Sequence, residues 1–145
     1  MPKNRYLIAA ALCCIVAAVA HLGCIVFGGD WYRFFGAGEQ MAVLAEQGDP
    51  RPAIVTSGIV TVLLICALFA LSGAGVIRRL PLLRTALCVV SVIFLLRGLG
   101  FVIIMPLFPG NSLTFWLLSS AICLTIGVLY AIGIAQSWRQ LRSGQ

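Results

Sequence analysis

The chain has 145 residues, 61% of them hydrophobic and 10% charged, with a mean hydropathy of +1.08 and a formal net charge of +6. A water-soluble domain of this length could not bury so much apolar surface, and the cations cluster beside apolar runs instead of forming a basic stripe, which excludes a nucleic-acid partner. Four apolar runs of about 20 residues match the roughly 30 Å hydrocarbon core of a bilayer at 1.5 Å rise per residue. They predict an all-α polytopic membrane protein, a four-transmembrane-helix bundle forming a single membrane domain over residues 1–145.

The first run covers residues 6–27 behind Lys3 and Arg5. Ala18-Val19-Ala20 resembles a signal cleavage site and Leu22-Gly23-Cys24 a lipoprotein box, but the run exceeds the roughly 7–15 apolar residues of a signal peptide, so the helix is expected to be retained. Ala9, Cys13, Ala17 and His21 recur at i+4 and predict a close-packed seam, with His21 about 22 Å along the helix from Tyr6. Residues 28–52 form the outer segment. Gly28 and Gly29 stop the helix, Asp30 is the expected N-cap of the next helical segment, and Trp31, Tyr32, Phe34 and Phe35 make an aromatic cluster suited to the headgroup boundary.

From about Phe34 to Gln47 the pattern predicts a short amphipathic interfacial helix, with an inward-dipping lid flexing at Gly36 and Gly38 as the alternative. The second run covers residues 53–77 and ends at Arg78-Arg79. The third covers 85–108, with Pro106 and Pro109 at its exit, and the fourth covers 112–137. In the fourth, Ser119, Cys123, Gly127, Ala131 and Ala135 predict a second seam, as do Cys66, Ala70 and Ala74 in the second.

Lys3, Arg5, Arg78, Arg79, Arg84, Arg139 and Arg142 fall on one side of these spans and only Arg33 and Arg51 on the other. The positive-inside rule then puts both termini in the cytoplasm of a bacterium, with the chain a multi-pass protein of the inner membrane. Sliding the fourth run over the second by 61 positions pairs Leu68-Phe69-Ala70-Leu71 with Leu129-Tyr130-Ala131-Ile132, and sliding the third over the first by 75 pairs Ala11-Leu12-Cys13 with Ala86-Leu87-Cys88, which suggests two related helical hairpins. Such a repeat would set His21 opposite Arg97.

Arg97 is the one arginine inside a span, about 18 Å from Thr85. A charge at that depth costs at least roughly 2.5–3.5 kcal/mol unless paired, and all four acids lie in one stretch, Asp30 to Asp49. Arg97 is therefore expected to meet Asp30 or Glu39 reaching inward, beside His21. His21, Asp30, Trp31, Arg33, Glu39 and Arg97 are the candidate polar-layer and ligand-binding residues, and Arg97 is either a brace for the outer segment or a functional charge.

The six cysteines lie inside apolar runs without Cys-x-x-Cys spacing and read as packing residues, and a single His gives no metal or haem site. No catalytic constellation, cofactor or metal is expected. Two functions fit. One is a binding or scaffold module holding a lipid-like or small anionic ligand, or a partner helix, in its outer-leaflet half. The alternative is a proton-linked transporter or channel subunit working as an oligomer. The expected partners are the lipid bilayer, a lipid-like ligand, and a second copy or another membrane protein.

The stretch Gly29-Asp30-Trp31-Tyr32-Arg33-Phe34-Phe35-Gly36-Ala37-Gly38-Glu39-Gln40-Met41, with Ala70 to Gly75 and Arg78 to Arg84, resembles a group of small bacterial four-span inner-membrane proteins of uncharacterised activity. DoxX-like four-helix proteins are similar in architecture only. The resemblance covers about half the chain and implies topology and location, with no activity attached to it.

Overall fold

The computed structural model describes residues 3–107 and 109–142. Asn4 opens the first helix: its Oδ1 accepts the N–H groups of Tyr6 and Leu7, both at 3.1 Å, which satisfies two donors that the first turn leaves free. Among the described residues there are seven α-helices and no strand: α1 Arg5–Phe27, α2 Gly29–Phe34, α3 Glu39–Glu46, α4 Arg51–Gly73, α5 Leu83–Leu99, α6 Phe101–Ile104 and α7 Leu113–Arg142, with a 3₁₀ turn at Met105–Leu107. The helices α1, α4 and α7 are each long and apolar enough to cross a membrane, with window hydropathies of 2.5, 2.6 and 2.2, and α5 with α6 and the turn makes a fourth span if counted as one. Their outward faces are apolar, as at Val16, Val26 and Ile54, which are 67%, 74% and 65% exposed. A water-facing surface rarely carries apolar side chains so continuously, and the arrangement supports a multi-pass membrane protein.

The helix boundaries differ from the sequence reading where single residues intervene. α4 begins at Arg51, two residues early, because Pro52 is favoured in a first turn, where its missing N–H has no intrahelical partner to lose. It ends at Gly73 instead of Ile77. There Ser72 Oγ donates to Arg78 O at 3.0 Å and accepts from Leu80 N at 2.9 Å, folding the connection back over the helix end. The third run is not one helix over 85–108: α5 starts at Leu83 and stops at Leu99, and α6 leaves it at 66° across Gly100. Glycine is a poor helix former and a common site of kinks, and Pro106 then denies the next turn a donor, so α6 gives way to the 3₁₀ turn. The expected end of that span, Phe108, lies outside the described residues.

α1 packs along α4, α5 packs along α7, and α1 also lies against α7. The contacts are leucines seated on glycines. A Cβ on Gly98 of α5 would come within 2.5 Å of Leu124 Cγ of α7, and one on Gly127 of α7 within 2.8 Å of Leu95 Cγ of α5. These two leucines interlock from opposite helices, each needing the other helix's backbone at close range. Leu7 sits in the same way on Gly133, and Leu87 on Gly73. Leu7, Ala10, Ala11, Cys14, Cys66, Ala70, Leu87, Ile126 and Tyr130 form the central core.

Two of the three expected seams are displaced. α1 buries Ala10, Cys14 and Ala18 and leaves Ala9, Cys13, Ala17 and His21 half-buried beside them. In α7 the buried line is Trp116, Ser120, Gly127, Tyr130, Ile134, Ser137 and Leu141, while Ala131 and Ala135 are exposed. At 3.6 residues per turn a strict i+4 row drifts about 40° per step, so Ser119 and Ala135 come out about 160° apart. The Cys66, Ala70, Ala74 seam of α4 is buried as the spacing predicts.

Polar groups inside the bundle find partners within it. Tyr130 Oη donates to Cys66 O at 2.7 Å, and Ser91 Oγ to Gly127 O at 3.1 Å. Asn4 Nδ2 donates to Gly133 O at 2.9 Å and to Ser137 Oγ at 2.8 Å, so the cap of α1 also ties α1 to the last turns of α7. Two outcomes test this packing in reversible detergent unfolding. Gly98→Val, which forces α5 away from Leu124, should lower stability by about 1–3 kcal/mol. Tyr130→Phe, which removes one buried hydrogen bond but keeps the ring, should lower it by about 1 kcal/mol.

Candidate functional site: the polar layer at the acidic end

The segment between α1 and α4 is built on glycines. Gly28, at φ 77°, ends α1 by turning the chain while its N–H bonds Cys24 O at 3.0 Å. Gly36 and Gly38, at φ 72° and 95°, then separate α2 from α3, so the helix expected from Phe34 to Gln47 forms only over Glu39–Glu46, behind a turn and a separate short α2. Gly28 stands at the N-terminal boundary of α2, and Asp30 falls inside its first turn instead of capping it.

The turn brings Arg33 between two carboxylates. Its Nε and Nη2 donate to Glu39 Oε2 and Oε1 at 2.9 and 2.7 Å, its Nη2 also to Glu46 Oε2 at 3.1 Å, and its Nη1 to Glu46 Oε1. Asp30 is a marginal third partner at 3.5 Å, with its side chain 95% exposed. The guanidinium fork thus clamps both ends of α3, since Glu39 begins that helix and Glu46 ends it. Gly29 lies beneath Glu46, where a Cβ would come within 2.5 Å of the carboxylate oxygen. The hydrogen bonds from Arg33 hold the Glu39 and Glu46 carboxyls below the usual range, and those bonds, Glu39's first, raise the Arg33 pKa. The Asp49 carboxyl is held down at about 2 by hydrogen bonds from Arg51, whose Nη2 lies 2.7 Å away.

The layer is docked onto the long helices. Tyr32 Oη and Thr56 Oγ1 are 3.0 Å apart in a buried hydrogen bond from α2 to α4. Trp31 stacks on Phe27 of α1 at 4.6 Å between centroids and covers Gly23, whose missing side chain makes room for the indole. Gly36 touches Phe115 at the start of α7, and Cys24, Tyr32 and Ala42 form a small core beneath.

Arg97 lies apart from these acids. In the last turn of α5, where a cation complements the helix's partial negative end, it reaches Ser120 Oγ at 3.4 Å and Ser119 Oγ at 3.3 Å and lies 5.0 Å from the Trp116 ring centroid. The expected pairing of Arg97 with Asp30 or Glu39 is not made. Arg33 is nearer in sequence to Asp30, Glu39 and Glu46, and the turn at Gly36 and Gly38 closes that short loop at less entropic cost than a contact with α5. His21 bonds within its own helix, its Nδ1 lying 2.7 Å from Ala17 O. His21 and Arg97 thus take separate partners, and the candidates divide into a hub at Arg33 and a second cation on α5.

The sequence reading did not single out Glu46, Thr56, Trp116 or Ser120 as site residues, and it took Ser119 only as a packing residue of the α7 seam. Glu46 was legible as an acid on the same short segment as Arg33. The serines and Trp116 carried no signal, because a hydroxyl or indole in an apolar run marks packing as readily as a charge partner.

The hub gives a pH dependence. Glu39 and Glu46 titrate below their ordinary 4.5 in the folded chain, so their pairing with Arg33 stabilises the layer fully above that pH and is lost as pH falls through the lowered values. Protection of residues 29–46, taken as the hydrogen-exchange rate against the intrinsic rate at each pH, should therefore hold from pH 7 to 5 and fall as the pH drops below the ordinary 4.5 of these carboxyls, while α4 and α7 stay protected. Arg33→Gln should lose that protection already at pH 7. Comparison of the chain with protein families, curated proteins and solved structures finds no match.

Proposed function

We propose that the protein is a small multi-pass inner-membrane binding module that holds a lipid-like or small anionic ligand against Arg97. The observation that supports this is the distribution of charge. The chain has four carboxylates; Arg33 takes Glu39 and Glu46, with Asp30 at its margin, and Arg51 takes Asp49. Arg97, among the described residues, has two hydroxyls and an indole face but no carboxylate. Arginine stays protonated in proteins, and a cation within an apolar span is costly without a counter-charge, so an anionic group entering from the surroundings lowers the free energy. Trp116 supplies an apolar wall, and Ser119 and Ser120 supply hydroxyls beside the guanidinium. The positive-inside rule orients the basic end to the cytoplasm, so Arg97 lies toward the outer leaflet.

A second reading, a proton-linked transporter subunit using His21, is favoured by the 66° break at Gly100, because broken spans line substrate paths in many transporters. Liposomes separate the two. The binding module predicts no pH-driven uptake, whereas uptake lost in His21→Gln would carry the transporter reading.

The binding reading is tested by native mass spectrometry of detergent-purified protein titrated with anionic and zwitterionic lipid. The wild type should bind anionic lipid more tightly than Arg97→Gln by about tenfold, and Arg97→Lys should recover part of the difference. Equal affinity in wild type and Arg97→Gln would overturn it.

A further inference from the structure

The opposite end of the molecule carries a feature that the Arg97 reading does not use. A cleft of about 220 Å³ opens there, and its walls include Asn4 ahead of α1, Ser72 at the end of α4, Ile77 and Arg79 in the connection between α4 and α5, and Ser137 and Leu141 of α7. Three of these hold the cleft in shape. Asn4 joins α1 to Ser137, Ser72 folds the connection through Arg78 O and Leu80 N, and Arg79 donates from Nη1 to Gln140 O at 3.1 Å and from Nη2 to Leu141 O at 2.6 Å.

The cleft lies in an electrostatic setting unlike the acidic end. Lys3, Arg5, Arg78, Arg79, Arg84 and Arg139 flank the helix ends gathered here, and among the described residues none forms an ion pair, because every aspartate and glutamate lies between Asp30 and Asp49. Arg84 lies over the Trp138 ring, 4.3 Å from its centroid, and is positioned by that contact with its charge unneutralised. Arg79 has five N–H donors, and its two bonds to carbonyls leave the others for a ligand. The main-chain N–H groups of Ile77 and Arg79, in the non-helical connection, have no hydrogen-bond partner among the described residues.

We propose that this cleft holds the phosphate of an anionic phospholipid headgroup, bound by Arg79 and drawn in by the surrounding cations. Its volume is below the roughly 300 Å³ at which pockets take drug-sized molecules and suits a headgroup fragment. The lipid, as source of the phosphate, is indicated by position. The cleft sits at the ends of apolar helices, where headgroups lie, and Ile77 of its wall is an exposed apolar side chain that an acyl chain can meet. Basic pockets between spans on the positively charged side are suited to phosphate-bearing lipids. This site is separate from Arg97, and each can fail without the other.

The experiment is a native mass spectrometry titration of the full chain in neutral detergent with phosphatidylglycerol, phosphatidylcholine and inorganic phosphate. Phosphatidylglycerol should bind more tightly than phosphatidylcholine. Arg79→Gln and Ile77→Glu should each weaken it about fivefold, compared in the Arg97→Gln background so that the Arg97 site does not contribute to the reading. Because Arg79→Gln also removes two bonds at the end of α7, Ile77→Glu is the decisive variant: it alters an exposed side chain at the cleft and leaves those bonds in place. Arg139→Gln removes a charge at the same end outside the cleft and should weaken binding less than about twofold. An Ile77→Glu variant that binds phosphatidylglycerol as tightly as its Arg97→Gln parent would overturn the site, and so would an Arg139→Gln loss equal to that of Ile77→Glu. Inorganic phosphate bound more tightly than phosphatidylglycerol would overturn the lipid assignment.

Discussion

An apolar bundle can hold a polar group only where that group is bonded inside it, and this constraint governs the structure. Several such groups join elements distant in sequence: Tyr130 to the Cys66 carbonyl, Ser91 to the Gly127 carbonyl, and Asn4 to Gly133 and Ser137. The carbonyls that accept these bonds lie on helices, so the donors must approach the partner backbone closely. Gly98, Gly127 and Gly133 permit that approach, and leucines fill the space that glycine leaves. Where lipid is the alternative to protein, apolar burial gives little preference for one helix over another, so close van der Waals contact and these hydrogen bonds carry the specificity.

The same constraint separates the charges. The carboxylates lie in the segment between α1 and α4, where Arg33 and Arg51 bind them, and the remaining cations gather at the other end or, for Arg97, on α5. The acidic end is thus closed by ion pairs and by the Tyr32–Thr56 hydrogen bond, whereas the basic end is closed by hydrogen bonds from Arg79 to carbonyls of α7. One end answers to pH through Glu39 and Glu46. The other is flanked by six lysine and arginine side chains, Lys3, Arg5, Arg78, Arg79, Arg84 and Arg139.

The aromatic groups bridge these regions. Trp31 couples the acidic segment to α1 by stacking on Phe27 over Gly23, and Trp116 lies beneath the Arg97 guanidinium at the start of α7. A glycine under an indole fixes where a short helix can rest. α2, with only six residues, gains its position from that contact and from Tyr32 and not from helix propensity.

The sequence by itself determined the class of the protein and the position of its long helices, because run length, composition and the proximity of cations to run ends depend on local chemistry alone. It determined the Cys66, Ala70, Ala74 seam too, a row short enough that drift around the helix stays small. Over the longer Ser119 to Ala135 row that drift carries the last residues to the exposed side, and which face of α1 was buried depended on α4 and α7 packing against it. The break at Gly100 lay in a run with no polar interruption at that point, so apolar periodicity passed over it. The largest difference concerned Arg97. Sequence showed a buried cation and a cluster of acids and joined them, but Arg33 was already within reach of those acids through the turn at Gly36 and Gly38. Only the tertiary structure decided that competition, since an ion pair forms where chain geometry brings the groups together at least cost, and a count of charges carries no geometry.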